Sequence, residues 1–138
     1  MIKLSTALLL SFFTLFGFSQ GTDSALEGKW KLFEIIDNMS GEVIKPSHKS
    51  GKTDYPYTIE FIGNTVKYNL EINKCSNEII VEKDRSIQFK YFSECTEICC
   101  DDEFSKLLSY EDCNKYYIKE GVTLILVSED RIFYFKKA

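Results

Sequence analysis

Tyr57-Thr58-Ile59-Glu60-Phe61-Ile62-Gly63-Asn64-Thr65-Val66-Lys67-Tyr68-Asn69-Leu70-Glu71-Ile72-Asn73 is the stretch whose reading decides the fold. Tyr57, Ile59 and Phe61 alternate with Thr58 and Glu60. After Gly63-Asn64, the residues Val66, Tyr68, Leu70 and Ile72 alternate with Lys67, Asn69, Glu71 and Asn73. A period of two on both sides of a short glycine turn predicts an antiparallel hairpin with one buried face.

The same grammar extends in both directions. Gly28 to Ile36 reads as an opening strand, with Trp30, Leu32 and the Ile35-Ile36 pair on its apolar side. Asp37 to Gly41 is a turn signal. Lys45 to Pro56 holds the two prolines and the single histidine, His48, and reads as an exposed loop. Downstream, Glu78 to Glu82 is expected to pair with Ile87 to Phe92 across Lys83-Asp84-Arg85. Three closing strands follow: Lys115 to Lys119, Val122 to Val127 and Arg131 to Lys136. The exception is Asp101 to Tyr110, where Phe104, Leu107 and Leu108 are spaced as on a helix behind an acidic first turn. About eight short strands and one short α-helix, at about 101–110, predict a mainly β chain: a small antiparallel barrel or roll with the helix packed on it.

Residues 1–19 read as a signal peptide: Lys3, an apolar run from Leu4 to Phe18, and small Gly17 and Ser19 before Gln20. The run is about 15 residues, short of the roughly 20 that span a bilayer. Residues 20–27 are expected to be a flexible polar leader, and 28–138 a single domain. No cysteine stands near the cleavage point to take a lipid, so a free secreted or periplasmic product is expected. Cleavage removes Lys3 and no acid, so the formal charge of the whole chain, −4, becomes −5. An acidic domain without clustered Lys and Arg argues against a nucleic-acid partner and against stable membrane attachment.

Five cysteines fall between residues 75 and 113: Cys75, Cys95, Cys99, Cys100 and Cys113. In an exported protein these are disulfide candidates. Folding the chain about a turn near Asp84 brings Cys75 opposite the neighbourhood of Ser93 to Cys95, which opens a Cys75–Cys95 bond. A bond from Cys99 or Cys100 to Cys113 would clamp the ends of the helical segment. The odd thiol stays free in a monomer or bridges two chains in a dimer. Zinc binding is disfavoured, since no C-x-x-C knuckle is present. A redox-active Cys99 or Cys100 at the helix entrance is the other minority reading.

No catalytic set emerges. Gly51-Lys52-Thr53 imitates the end of a phosphate-binding loop, but Pro46 occupies the position that needs the first glycine. His48 has lysine neighbours and no orienting partner in sequence. Asp101, Asp102 and Glu103 lack the alternating spacing of a calcium loop and fit helix capping better. No enzyme activity, cofactor or metal is expected.

Gly28-Lys29-Trp30, Asn73-Lys74-Cys75, Thr96-Glu97-Ile98-Cys99-Cys100, Phe104-Ser105-Lys106-Leu107-Leu108, Tyr116-Tyr117-Ile118 and Leu124-Ile125-Leu126 together resemble the META domain family (HslJ-like). The resemblance covers most of residues 28 to 136. It implies a compact β-rich envelope or secreted module, non-enzymatic, with a binding or stress-related role and a Cys75–Cys100 bridge. Gly28-x-Trp30 also resembles the opening of a lipocalin, which implies a carrier of a small apolar ligand. The partner is thus an unknown protein or a small apolar molecule.

Overall fold

The computed structural model describes residues 23–46, 57–90 and 92–138. The strands are β1 (Gly28–Asp37), β2 (Val43–Ile44), β3 (Thr58–Ile62), β4 (Thr65–Asn69), β5 (Lys74–Val81), β6 (Ile87–Phe89), β7 (Glu94–Cys95), β8 (Lys115–Lys119), β9 (Thr123–Val127) and β10 (Arg131–Lys137). Two 3-10 turns, Phe104–Leu107 and Tyr110–Asp112, stand where the α-helix was expected. The helical spacing of Phe104, Leu107 and Leu108 is real, but each turn is too short to sustain α-helical hydrogen bonding.

Neighbouring strands run β6-β5-β4-β3-β1-β10-β9-β8, all antiparallel, so the first long strand pairs with the last. The sheet curls into a nearly closed eight-strand barrel. Its seam is thin: one bridge joins Ser86 to Lys115. The Ile87 N–H donates to the Asn114 carbonyl and the Tyr116 N–H to that of Arg85, each at 3.1 Å. The short β2 and β7 add to the edges of β1 and β5.

The hairpin that decided the fold is present, with Ile62 paired to Thr65 across Gly63-Asn64. Gly63 takes φ 58°, a left-handed conformation that glycine adopts without a Cβ penalty. In β1, Leu32 and then Glu34 pair with successive residues of β10, leaving Phe33 as a bulge. That one-residue slip explains why Trp30, Leu32 and Ile35 all face inward despite an odd spacing, while Ile36 faces out.

Both ends of the barrel are plugged. At one end, Leu26 is buried in the turn Asp23–Leu26, and its carbonyl accepts from Trp30 Nε1 at 2.9 Å. Asp23 accepts from the Tyr116 hydroxyl at 2.8 Å. Residues 23–27, expected within a flexible leader, thus form a cap. At the other end, the helical segment drives Tyr110 into the interior. Its ring lies 5.0 Å from those of Tyr68 and Phe133 and 5.7 Å from Phe135.

Because Phe133 is fully buried, Phe133→Ala should cost about 3–5 kcal/mol. Val122 is 53% exposed at a hairpin tip, so Val122→Ala should stay within about 0.5 kcal/mol. Urea unfolding monitored by circular dichroism measures both.

Candidate functional site

Two regions stand apart from the packed core: a loop carrying three of the cysteines, and an aromatic row on the outer wall.

The loop begins where β4 turns into β5. Leu70 to Asn73 reverses the chain, with the Leu70 N–H donating to the Asn73 carbonyl at 2.9 Å. Asn73 is 7% exposed, and its side-chain amide is saturated. The amide nitrogen donates to the Ile98 carbonyl and to Asp101 Oδ2, each at 2.7 Å. The amide oxygen accepts from the Thr96 hydroxyl and the Ile98 N–H, each at 2.8 Å. Asp101 Oδ1 also accepts the N–H groups of Ile72 and Asn73. A buried amide with all four hydrogen bonds made is a rigid node. It pins residues 96 to 101 against the start of β5.

Cys75 and Cys95 pair in the register of β5 and β7 and are joined by a disulfide, with a Cα–Cα distance of 4.1 Å. The bond opened by the hairpin geometry is therefore present, and it replaces the Cys75–Cys100 bridge implied by the META resemblance. Cys99 and Cys100 are neighbours in this loop, and both are exposed. Cys113 is free, so a clamp from Cys99 or Cys100 to Cys113 is not formed. The reason is placement: Cys113 follows the second 3-10 turn into the core at 3% exposure, while the pinned loop holds its cysteines outside. Burial, then the nearby Asp112 and Glu111 carboxylates, push the Cys113 thiol well above its ordinary range. It is unreactive and poorly placed to bridge two chains.

The acids at 101–103 divide the work. Asp101 ties the β4–β5 turn instead of capping a helix. Asp102 is buried; its Oδ1 accepts from the Ser105 N–H at 2.9 Å and hydroxyl at 2.6 Å, and its Oδ2 from the Tyr57 hydroxyl. Glu103 is exposed and pairs with Lys106 at 2.7 Å. For Asp101 and Asp102, burial opposes ionisation, but these hydrogen bonds outweigh it and hold both carboxyls below the ordinary aspartate value of 3.8. Burial first, then the bond to Asp102, raises the Tyr57 hydroxyl above its usual value. Glu111 accepts from the Tyr68 and Ser93 hydroxyls at 2.5 Å each, fastening the plug to the wall. These two carboxylate–tyrosine nodes were not anticipated from the sequence. The available signal was tyrosine in place of phenylalanine at inward strand positions, since a buried hydroxyl needs an acceptor.

On the outer wall, Tyr117 pairs with Ile125, and Ile125 with Tyr134. The Phe33 ring lies 6.1 Å from that of Tyr134. Directly opposed residues share a face, so this row crosses four strands from β8 to β1. At its β1 end, a depression of about 310 Å³ is bordered by Phe33, Pro46, Lys31, Lys45 and Lys136. His48 and Gly51-Lys52-Thr53 lie outside the described residues. Among the described residues, no group of three or more His, Cys, Asp or Glu side chains is placed to hold a metal ion.

Searches of family models and of curated proteins find no match to this chain. A DUF4847 family protein from Bacteroides vulgatus is similar in fold. Its crystal structure superposes with a TM-score of 0.57 at 12% identity, over 83% of this chain and 95% of that one. At that identity the likeness is one of fold.

Asn73→Ala should destabilise the protein by about 2–4 kcal/mol, because it strands several buried donors and acceptors at once. Chemical denaturation gives the value. Asp101 and Asp102 have folded pKa values below the unfolded one. Their stabilisation is therefore present above about pH 4 and lost as the pH falls through the folded values. The thermal midpoint should drop on acidification below about pH 4, and Asp101→Asn should flatten that drop.

Proposed function

We propose that this chain is an exported, non-enzymatic, META-like binding module that meets its partner on the outer wall and not inside the barrel. The observation that carries this reading is the row Tyr117, Ile125, Tyr134 and Phe33, which faces outward although aromatics at alternate strand positions normally face the core. Tyr117 is 41% exposed, Phe33 and Tyr134 are half-buried, and Ile125 is 8% exposed. Lysines border the row at its β1 end on a chain of net charge −4, so an acidic partner with an apolar group is the best fit. The Cys75–Cys95 disulfide supports an oxidising compartment.

The second reading is a small lipocalin-like carrier. The meander order, in which the first long strand pairs with the last, and the Gly28-x-Trp30 opening favour it. The filled interior opposes it, since Tyr110 and Leu26 occupy the two ends that a ligand would enter.

Trp30 is the single tryptophan and lies in the interior, so its emission reports on the lumen. Titrating the mature protein with a fluorescent fatty-acid analogue should leave Trp30 emission unchanged, with no saturable one-to-one binding. Saturable quenching would establish the carrier instead. Peptide mapping of the secreted protein should find an N-terminus at Gln20 and the Cys75–Cys95 link; a retained leader would overturn export.

A further inference from the structure

We propose that a ring of lysines around the outer wall binds a linear acidic polysaccharide, whose chain follows the barrel across its strands. The proposal rests on the outer-wall reading above and names the class of partner. Strand register carries it. Lys119 of β8 pairs with Thr123 of β9, and Thr123 with Lys136 of β10. Lys136 pairs with Lys31 of β1, and Lys31 with Thr58 of β3. The Asn69 side chain of β4 donates to the Thr58 hydroxyl at 3.1 Å, and Asn69 pairs with Lys74 of β5. Directly opposed residues share a face, and the adjoining Trp30, Leu32, Phe135 and Cys75 are buried in the core. The ring therefore faces outward, with Lys74, Lys119 and Lys136 exposed.

The ring holds Lys31, Lys74, Lys119 and Lys136 and no acid. The neighbouring row shows the contrast. There Lys29, Glu60, Lys67, Ser76 and Glu94 are successive partners, and the charges alternate in sign. Lys29 approaches Glu60 at 3.9 Å. Alternation is what cross-strand stability favours, whereas like charges set directly opposite each other destabilise a sheet. Lys31 opposite Lys136 breaks that rule, on a chain whose net charge is −4. A local rule broken against stability is the mark of a functional surface. Reading the chain in order hides the ring, because its lysines come from four separate strands.

Shape narrows the partner. From β8 to β5 the ring crosses six inter-strand steps of the sheet order. At about 4.8 Å a step, that is about 29 Å of wall. The wall curls into a barrel, so Lys119 and Lys74 face different directions. A flat anionic bilayer meets one side of such a ring. A flexible linear polyanion can follow it round and meet every lysine in turn.

Chemistry then selects a sugar chain. Thr123, Thr58 and Asn69 stand between the lysines and offer hydroxyls and an amide, which both donate and accept, to a hydroxyl-rich chain. The lysine ammoniums are mobile point charges for its carboxylates. Two depressions of about 310 Å³ each lie on the ring, one at Lys31 and Lys136 and one at Thr58, Asn69 and Lys74. A single-stranded nucleic acid would need open aromatic faces among the cations. The ring positions hold no aromatic residue, and the nearest rings are engaged. Lys136 Nζ lies 4.8 Å from the centroid of Phe33, which in turn tilts against Tyr134 at 6.1 Å. Both arginines, Arg85 and Arg131, lie outside the ring.

The test is calorimetric titration of the mature protein with size-graded oligogalacturonates, which are linear chains of a uronic acid. Binding should be saturable, and affinity should rise with chain length until the oligomer spans the ring and then level off. Affinity should fall about tenfold between about 50 and about 200 mM salt, as expected when a few lysines displace counterions from a flexible polyanion. Lys74→Gln, Lys119→Gln and the double variant Lys31→Gln, Lys136→Gln should each weaken binding. Lys83→Gln and Lys106→Gln, outside the ring, should bind as the wild type does. Circular dichroism and the unfolding midpoint check that every variant is folded, and the length and salt series need no variant. Absent binding, affinity indifferent to length, or equal weakening by the outside variants would overturn the proposal. So would tighter binding of oligothymidylate, or of vesicles rich in phosphatidylglycerol, at the same salt. Tighter binding of polyglutamate with the same lysine dependence would reject the polysaccharide and leave the outer wall standing as the face that meets an acidic protein. The Trp30 titration judges the outer-wall reading by a separate signal.

Discussion

Everything in this molecule rests on filling a narrow tube. An eight-stranded barrel has an interior just wide enough for side chains to occupy. The strands here supply most of that filling from one face each, led by Trp30, Phe133 and Phe135. The axis still needs a large ring near the end where β4 turns into β5, and Tyr110 supplies it from a segment that is not a strand. The break in the period-two pattern after Cys100 is the consequence: the chain leaves the wall to become the plug.

A plug made of short 3-10 turns has little cohesion of its own. Polar side chains fasten it to the wall. Asp102 takes the Tyr57 hydroxyl, and Glu111 takes that of Tyr68. Each acid also binds a serine, Ser105 or Ser93. Such nodes add direction, which apolar packing lacks, and so set the plug's orientation as well as its depth. The Asn73 node continues this fastening outward and turns residues 96 to 101 into a defined surface loop.

Much of this was legible in the chain. The β3–β4 hairpin and the last three strands follow from alternation and turn residues, and the constant positional sum of antiparallel partners left open the Cys75–Cys95 bond that the structure forms. The slip at Phe33 was not legible, because Ile35 and Ile36 are chemically equivalent and pairing with β10 decides which one turns inward. The buried carboxylates at 102 and 111 read as ordinary surface acids, since their hydroxyl partners lie 45 and 43 residues away.

Local patterns therefore determined the class of this protein. Period two, glycine turns and clustered cysteines report interactions between near neighbours in the chain, and they specify a disulfide-bearing antiparallel barrel. The tertiary structure alone decided which cysteine is buried in the core, which face of the last strands carries the outward row from Tyr117 to Phe33, and what closes each end. Those outcomes depend on contacts between residues far apart in sequence. Their geometry exists once the strands have curled and the first has met the last, and no window of the chain contains it.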